Sequence, residues 1–473
     1  MHSVDPYQPP KSEAVETGPW YKGLTRYHWF VLAVAALGWL FDTMDQQLFN
    51  LARVPAVTEL LKVAKDDPKI AAYGGYATSI FIIGWALGGL FFGILGDKIG
   101  RAKTMLLTIL LYSMFTGLSA LSVGFWDFAF YRFLTGLGVG GEFAVGVALV
   151  AEVMPDRARP FALGWLQALS AVGNMTAAMI AIVLGQIGEG TTGFSSWRIM
   201  FVIGTIPALL AVVIRARLKE PDRWKAAVKE VVQTGDDAKV GEPAHRLGSL
   251  AELFTDPRWR KNTIVGMLLA FSGVVGLWGI GFFSFDLIRL VFRQHFEAQG
   301  LSPEAVGDKL TFWTGITSLL QNAGAFLGIY AFSKVTAITG RKPAFAISFL
   351  LAMFATAFTF WFLDSFTDVF WMIPIMGFCQ LSLFGGYAIY FPELFPTRLR
   401  STGTSFCYNV GRLVAAVGPS SLGFLTGVVF AGYKDIDSSL PMRYAGVSMC
   451  SVFLIGLLVL PFAPETKGKP LPE

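Results

Sequence analysis

The stretch Gly93-Ile-Leu-Gly-Asp-Lys-Ile-Gly-Arg-Ala-Lys103 decides how this chain is read. It lies between two apolar runs, each long enough to cross a bilayer. Its glycines allow two helix ends to meet and turn sharply. Lys98, Arg101 and Lys103 mark a connection on the cytoplasmic side, and Asp97 has cations within reach to pair with, or a neighbouring helix to cap. The same alternation of long apolar run and short charged turn continues to both ends of the sequence. The chain of 473 residues is 54% hydrophobic and only 15% charged, with mean hydropathy +0.55, which excludes an ordinary soluble domain.

Twelve spans of about twenty residues or slightly more follow from the pattern. They lie near 28–50, 74–95, 103–123, 128–150, 161–187 and 197–217, then near 263–288, 310–332, 344–364, 368–390, 402–430 and 444–463. The polar stretch 218–262 divides them six and six, as a central cytoplasmic loop between an N-terminal bundle (28–217) and a C-terminal bundle (263–463). Residues 1–27 and 464–473 are read as cytoplasmic tails. Lys and Arg concentrate in the loops that place both termini inside. The net charge of +5 therefore reads as membrane topology and not as nucleic-acid binding. Trp20, Trp29, Trp126, Trp197 and Trp371 fall near span ends, where interfacial tryptophans belong. Cys379, Cys407 and Cys450 give no disulfide framework, and no metal-ligand spacing or cofactor motif occurs. The absence of a nucleophile–base pair or phosphate loop argues against an enzyme.

A shift of 241 residues superimposes the polar landmarks of the two halves. Glu152, Pro155, Arg157 and Arg159 fall on Glu393, Pro396, Arg398 and Arg400, and Asp45 falls on Asp286. Gly100-Arg101 meets Gly340-Arg341 one residue out of register. Parallel six-helix repeats about an axis normal to the membrane predict a cavity between the halves near the midplane.

With these features in place, the chain resembles the major facilitator superfamily along nearly its whole length. The loop at 93–103 has that family's signature between helices 2 and 3. KEPDRW (219–224) and APETKG (463–468) resemble the elements that follow its helices 6 and 12. The run 132–159 and the following ALGWLQALSAVGN resemble the proton-coupled carboxylate branch, which includes sialate, lactate and aromatic-acid symporters. Asp42-Thr43-Met44-Asp45 resembles the D-G-x-D of the aromatic-acid symporters, with Thr43 in place of glycine. Span 7 lacks the Q-Q-x-S-G usual in sugar porters. The resemblance implies an all-α membrane protein of the major facilitator fold. The implied activity is secondary transport of a small organic anion with protons, in the cell membrane, by a monomer. A sugar or organic-cation porter is the alternative.

Charges inside spans cost about 2.5–3.5 kcal/mol each on insertion scales and so mark function. Asp42 and Asp45 share one face of span 1, and with Glu142 of span 4 they are the candidate proton carriers. Arg132 lies at a depth similar to Asp45 and is positioned either to release an aspartate during transport or to hold it permanently. Arg412 suits a substrate carboxylate, with pairing to Glu142 as the alternative, and Asn409, Tyr387, Gln167 and Arg132 complete the candidate binding set. The glycines before Glu142 read as helix packing. Asp97, Arg101, Glu152, Arg159, Glu220 and Arg223 are expected to cluster at the cytoplasmic ends of the first half, and Arg341, Glu393, Arg400 and Glu465 at those of the second, as gates.

Overall fold

The computed structural model describes residues 18–64, 67, 69–187, 194–237, 246–281, 284–415, 418–437 and 439–473. Most of the N-terminal tail and residues 238–245 of the central loop, with His2 and His245, lie outside them. The described residues form helices and short turns without strands. In order, the first half has α1 (Arg26–Leu61), α2 (Lys69–Ile99), α3 (Arg101–Ser119), α4 (Phe125–Val153), α5 (Arg159–Ile187), and a sixth span broken into α6 (Ser196–Ile203) and α7 (Ala208–Arg217). The linking segment carries α8 (Asp222–Asp237). The second half opens with α9 (Pro257–Val274), which runs through a π-helical turn (Val275–Ile280) towards α10 (Ser284–Ala298). It continues with α11 (Pro303–Thr339), α12 (Arg341–Phe362), α13 (Val369–Leu394), α14 (Arg400–Ala415), α15 (Gly418–Phe424), α16 (Leu440–Met449) and α17 (Val452–Val459). These make twelve crossings. Ten of them qualify as membrane spans on length and apolarity alone. Large apolar side chains such as Phe91, Leu209 and Phe354 face outward, as a lipid-facing surface requires.

Short-range chemistry explains how the helices stop and turn. α2 and α3 are separated by Gly100 alone, at φ +113°, and α11 and α12 by Gly340 alone, at φ +101°. An L side chain rarely adopts this backbone, so the Gly-Arg pair of each half is a sharp corner between two spans. Glu220 accepts from the backbone amides of Ala102 and Lys103 at the start of α3 (3.1 and 3.0 Å). Glu465 does the same for Arg341 and Lys342 at the start of α12 (2.9 and 3.0 Å). A carboxylate at a helix N-terminus satisfies open amides and complements the dipole. Burial resists ionisation of Glu465, but the amides of Arg341, Lys342 and Lys467 hold its acidity below the usual glutamate range.

The glycines of α4 pack helices, as the sequence suggested. A Cβ on Gly140 would run into the carbonyl of Trp85 in α2, and one on Gly138 would come within 2.7 Å of the Tyr112 amide in α3. α2 and α3 are thereby drawn onto α4. Trp197 departs from expectation. It is buried, and its indole Nε1 donates to Glu59 at 2.6 Å instead of facing the interface. Glu59 also receives Arg198 at 2.9 Å, so the end of α1 is tied to the sixth span.

Candidate functional site

The two halves meet along α2 with α14 and α5 with α11. On the face that carries the linking segment and the C-terminal residues, this seam is closed by charge. Arg101 donates to Glu152 at 2.8 Å and lies 3.0 Å from Asp97, all three buried. The Asp97 carboxylate reaches across to the first turn of α14, accepting from the amides of Ser401 and Thr402 (3.1 and 2.8 Å) and the Thr402 hydroxyl (2.6 Å). Arg101 crosses the seam too, donating to the Thr397 carbonyl at 2.7 Å. Arg400 does not join the second half's cluster. It crosses to Glu152 at 2.9 Å, since the turn Thr397–Leu399 delivers it to the seam. Glu393 bonds within its own half, to Arg341 at 2.8 Å and the Thr466 hydroxyl at 2.6 Å, with Arg159 of the first half as a charged neighbour. Arg159 pairs with Asp156, and Arg223 approaches Asp156 at 3.8 Å. Asp156 is the acid the sequence reading did not single out.

Deeper in the membrane, the acids of α1 and α4 occupy one wall. Asp45 accepts from Thr116 at 2.6 Å and lies 3.7 Å from Arg132. Arg132 is itself held by Ser119 and Thr135 and lies over the Phe201 ring, 4.5 Å from its centroid. Glu142 accepts from Thr108 at 2.6 Å, while its other oxygen lies against Gly38, one turn before Asp42. Neither carboxylate oxygen of Asp42 has a hydrogen-bond partner among the described residues, although the side chain is buried. Glu142, Asp45 and Arg412 are its charged neighbours.

Arg412 projects from α14 towards this wall through an aromatic box. Its guanidinium carbon lies 3.7 Å from the Trp85 centroid, 4.7 Å from Tyr408 and 5.8 Å from Trp278. Phe143 of α4 stacks on Tyr408 at 4.3 Å and continues the box to Trp39 at 4.8 Å. No carboxylate lies within ion-pair distance of Arg412 among the described residues, and its Nε and Nη1 donate to nothing there. The alternative of a permanent pair with Glu142 is therefore not adopted in this state. Beyond Trp278, a cavity of about 120 Å³ lies between the halves, lined by Gln46, Asn50, Asn174, Gln321 and Asn322 among others. Asn174 and Asn322 bond across the seam at 3.0 Å.

The remaining candidates fall in different places. Asn409 lies one turn before Arg412, donates to Ser405 and packs on Gly89 of α2. Gln167 faces α1 beside Ser170, whose carbonyl accepts from Thr43. Tyr387 is the exception. Its hydroxyl is committed to the Leu269 carbonyl at 2.7 Å and its ring stacks on Phe391, so it packs α13 on α9. Trp85, Thr108, Tyr112 and Thr116 are at the site but were not read from sequence. An aromatic or hydroxyl residue in an apolar run carries no charge to draw notice.

A membrane bundle with a charged seam and a buried, part-polar centre between two six-helix halves defines a transporter. The Major Facilitator Superfamily model matches residues 35–419, and the chain belongs to that family. It is 28% identical to the cis,cis-muconate transport protein of Acinetobacter baylyi, over 74% of this chain and 78% of that one. It is 26% identical to the niacin transporter NiaP of the same organism, over 94% and 96%. The proton:xylose symporter XylE, from E. coli, bound to 6-bromo-6-deoxy-D-glucose, matches with a TM-score of 0.70 at 17% identity, covering 94% of this chain and 98% of the other. This chain is a multi-pass membrane transporter for a small molecule, and not an enzyme.

Proposed function

We propose that the chain symports a small organic carboxylate with protons across the cell membrane, with both termini cytoplasmic and the monomer as the working unit. The observation that carries this reading is Arg412, a buried guanidinium with two nitrogens uncommitted and no carboxylate partner among the described residues. A planar fork at the seam suits a carboxylate, which it binds bidentately. Muconate and niacin, carried by two relatives according to their names, are carboxylic acids. Asp45 with Arg132, Asp42 and Glu142 supply buried acids for the proton.

The charged seam is the cytoplasmic gate, closed in this state, with the domains bounded at 28–217 and 263–463. Substrate release then requires Asp97, Arg101, Glu152 and Arg400 to part. Uptake of labelled nicotinate and cis,cis-muconate into proteoliposomes tests the reading. Acid outside is expected to drive accumulation of at least one acid, and Arg412→Lys to weaken its binding roughly 10–100-fold, the value of one or two charged hydrogen bonds. Transport of xylose but of no acid, unaffected by Arg412→Lys, would replace this reading with the sugar porter.

A further inference from the structure

α3 lies at the rim of the first half, yet its inner face carries three hydroxyls in register. Thr108, Tyr112 and Thr116 are spaced i, i+4, i+8, so they line up along one face. The two ends of this row hold the two acids that the transport reading needs. Thr116 donates to Asp45 and Thr108 to Glu142, each at 2.6 Å. Eight residues of helix separate those threonines by about 12 Å, too far for the two carboxyl groups to exchange a proton directly.

Tyr112 is in the middle. It is fully buried, and its hydroxyl lies beside that of Ser113 without a well-aligned hydrogen bond to any described residue. Its charged neighbours are Glu142, Asp42 and Asp45, the acids of both α1 and α4. Gly138 lets α3 come close enough to α4 for this, because a Cβ there would strike the Tyr112 amide. A buried hydroxyl left unpaired costs about 1–3 kcal/mol, so a phenylalanine would pack here at lower cost. The hydroxyl is kept where three acids are its charged neighbours.

We infer that Tyr112 is the proton bridge between Asp45 and Glu142, with Asp42 as the intermediate acid. This rests on the proton-coupled reading above. When a carboxylic acid on one side gives its proton to the Tyr112 oxygen, the Tyr112 O–H gives its own proton to the carboxylate on the other. One O–H bond breaks and one forms at the phenol, which ends neutral, and one positive charge has moved along α3. Thr116 and Thr108 are positioning residues that hold the terminal carboxyls towards the row. The ion pair of Asp45 with Arg132 is thereby connected to Glu142, and Asp42, near Arg412, is where a bound anion can alter the transfer.

Infrared spectroscopy of the purified chain in nanodiscs tests this without a known substrate. The carbonyl band of protonated Glu142 is identified as the one lost in Glu142→Gln. On changing water for heavy water, that band shifts as its proton exchanges. Tyr112→Phe is expected to slow this shift about tenfold or more while backbone amide exchange and the melting temperature stay as in the parent. Thr116→Val, which alters the far end of the row and leaves Glu142's own contacts intact, is expected to slow it as well. An unchanged Glu142 exchange rate in both variants overturns the bridge while leaving the proton site in place. If no carbonyl band depends on Glu142 at any pH, the proton-site reading fails first and the bridge with it.

Discussion

Glu152 and Glu393 are equivalent acids, 241 residues apart, and each takes the arginine that opens the third span of its own half. Beyond that they differ. Glu152 also takes Arg400 from the opposite half, whereas Glu393 takes Thr466 from its own. The repeat supplies the same motif twice, and of the two equivalent pairs across the seam only Glu152–Arg400 is within ion-pair distance, while Glu393 and Arg159 are charged neighbours at longer range. Asp97 adds to this inequality. In the register of the Gly-Arg pairs Ala337 falls opposite it, a residue with no side-chain acceptor, so the first half caps α14 of the second with no reciprocal contact at that position. The duplicated motif builds each bundle, and what is not duplicated is the set of contacts it makes across the seam.

The largest effect expected from this comparison is at Glu152. Removing one member of a buried ionic cluster costs about 3–5 kcal/mol, because the remaining charges are left without compensation. In Glu152→Gln Arg400 loses its carboxylate and Arg101 keeps only Asp97, and the closed seam loses that stability while the open one does not. Alkylation of Ser401→Cys from the face that carries the linking segment, in a chain without its three cysteines, is expected to accelerate at least tenfold. Glu393→Gln is expected to lower the melting temperature and leave that alkylation rate unchanged. Equal acceleration in both variants would remove the distinction between the two acids.

The next effect sharpens the comparison at the arginines. Arg400 and Arg159 are equivalent by sequence, but Arg400 bridges the halves and Arg159 bonds to Asp156 and the Ala151 carbonyl. Arg400→Gln is expected to speed alkylation of Ser401→Cys several-fold, and Arg159→Gln to change it less than twofold. The expected difference follows from partner location, since Asp156 is largely solvated and exposed ion pairs are worth under about 1 kcal/mol. A smaller effect is expected for Asp97→Asn. It keeps one acceptor oxygen for the amides of α14, the cap itself being worth about 1 kcal/mol, and it loses the charge beside Arg101, which still has Glu152 as its carboxylate. Alkylation should rise modestly, with transport retained.

Much of this arrangement is legible in the sequence, and what is legible has a physical reason. Long apolar runs read as spans because the bilayer demands them, and Gly100-Arg101 reads as a corner because glycine tolerates that backbone. A charge in an apolar run reads as functional because its burial is expensive, which is how Asp42, Asp45, Arg132, Glu142 and Arg412 come to notice. Partner choice is not legible. The repeat gives no sign that Arg400 leaves Glu393 for Glu152, because that depends on how the turn at Thr397 faces the seam. Asp156 is masked by its exposed loop, and Trp85, Thr108 and Thr116 by the apolar or neutral character of their runs. Tyr387 shows the opposite error, a polar group in a span that serves packing alone.

The two helix-capping glutamates provide the smallest effect and the control for the whole comparison. Glu220 and Glu465 make the same two amide contacts at the start of α3 and α12, and neither takes a group from the opposite half in the contacts described above. Each makes its contacts within one half, so neither is expected to bias the seam. Glu465 adds a pH signature. Its acidity is held below the usual value by three backbone amides working against partial burial. A carboxyl whose pKa is lowered on folding contributes stability that is fully present above its unfolded value and is lost as pH falls through the folded one. Glu465→Gln is therefore expected to melt slightly below the parent at pH 7, by an amount on the order of 0.3–1 kcal/mol. The gap should stay constant from pH 6 to 8 and close as pH drops below the ordinary glutamate range. Thermal unfolding in detergent across that range measures it, with alkylation of Ser401→Cys followed in the same samples. A gap that persists unchanged into acid would mean that the carboxylate form of Glu465 adds nothing. A rise in alkylation would mean that the caps, too, act on the seam, and the division between contacts repeated within each half and contacts made across the seam would fail.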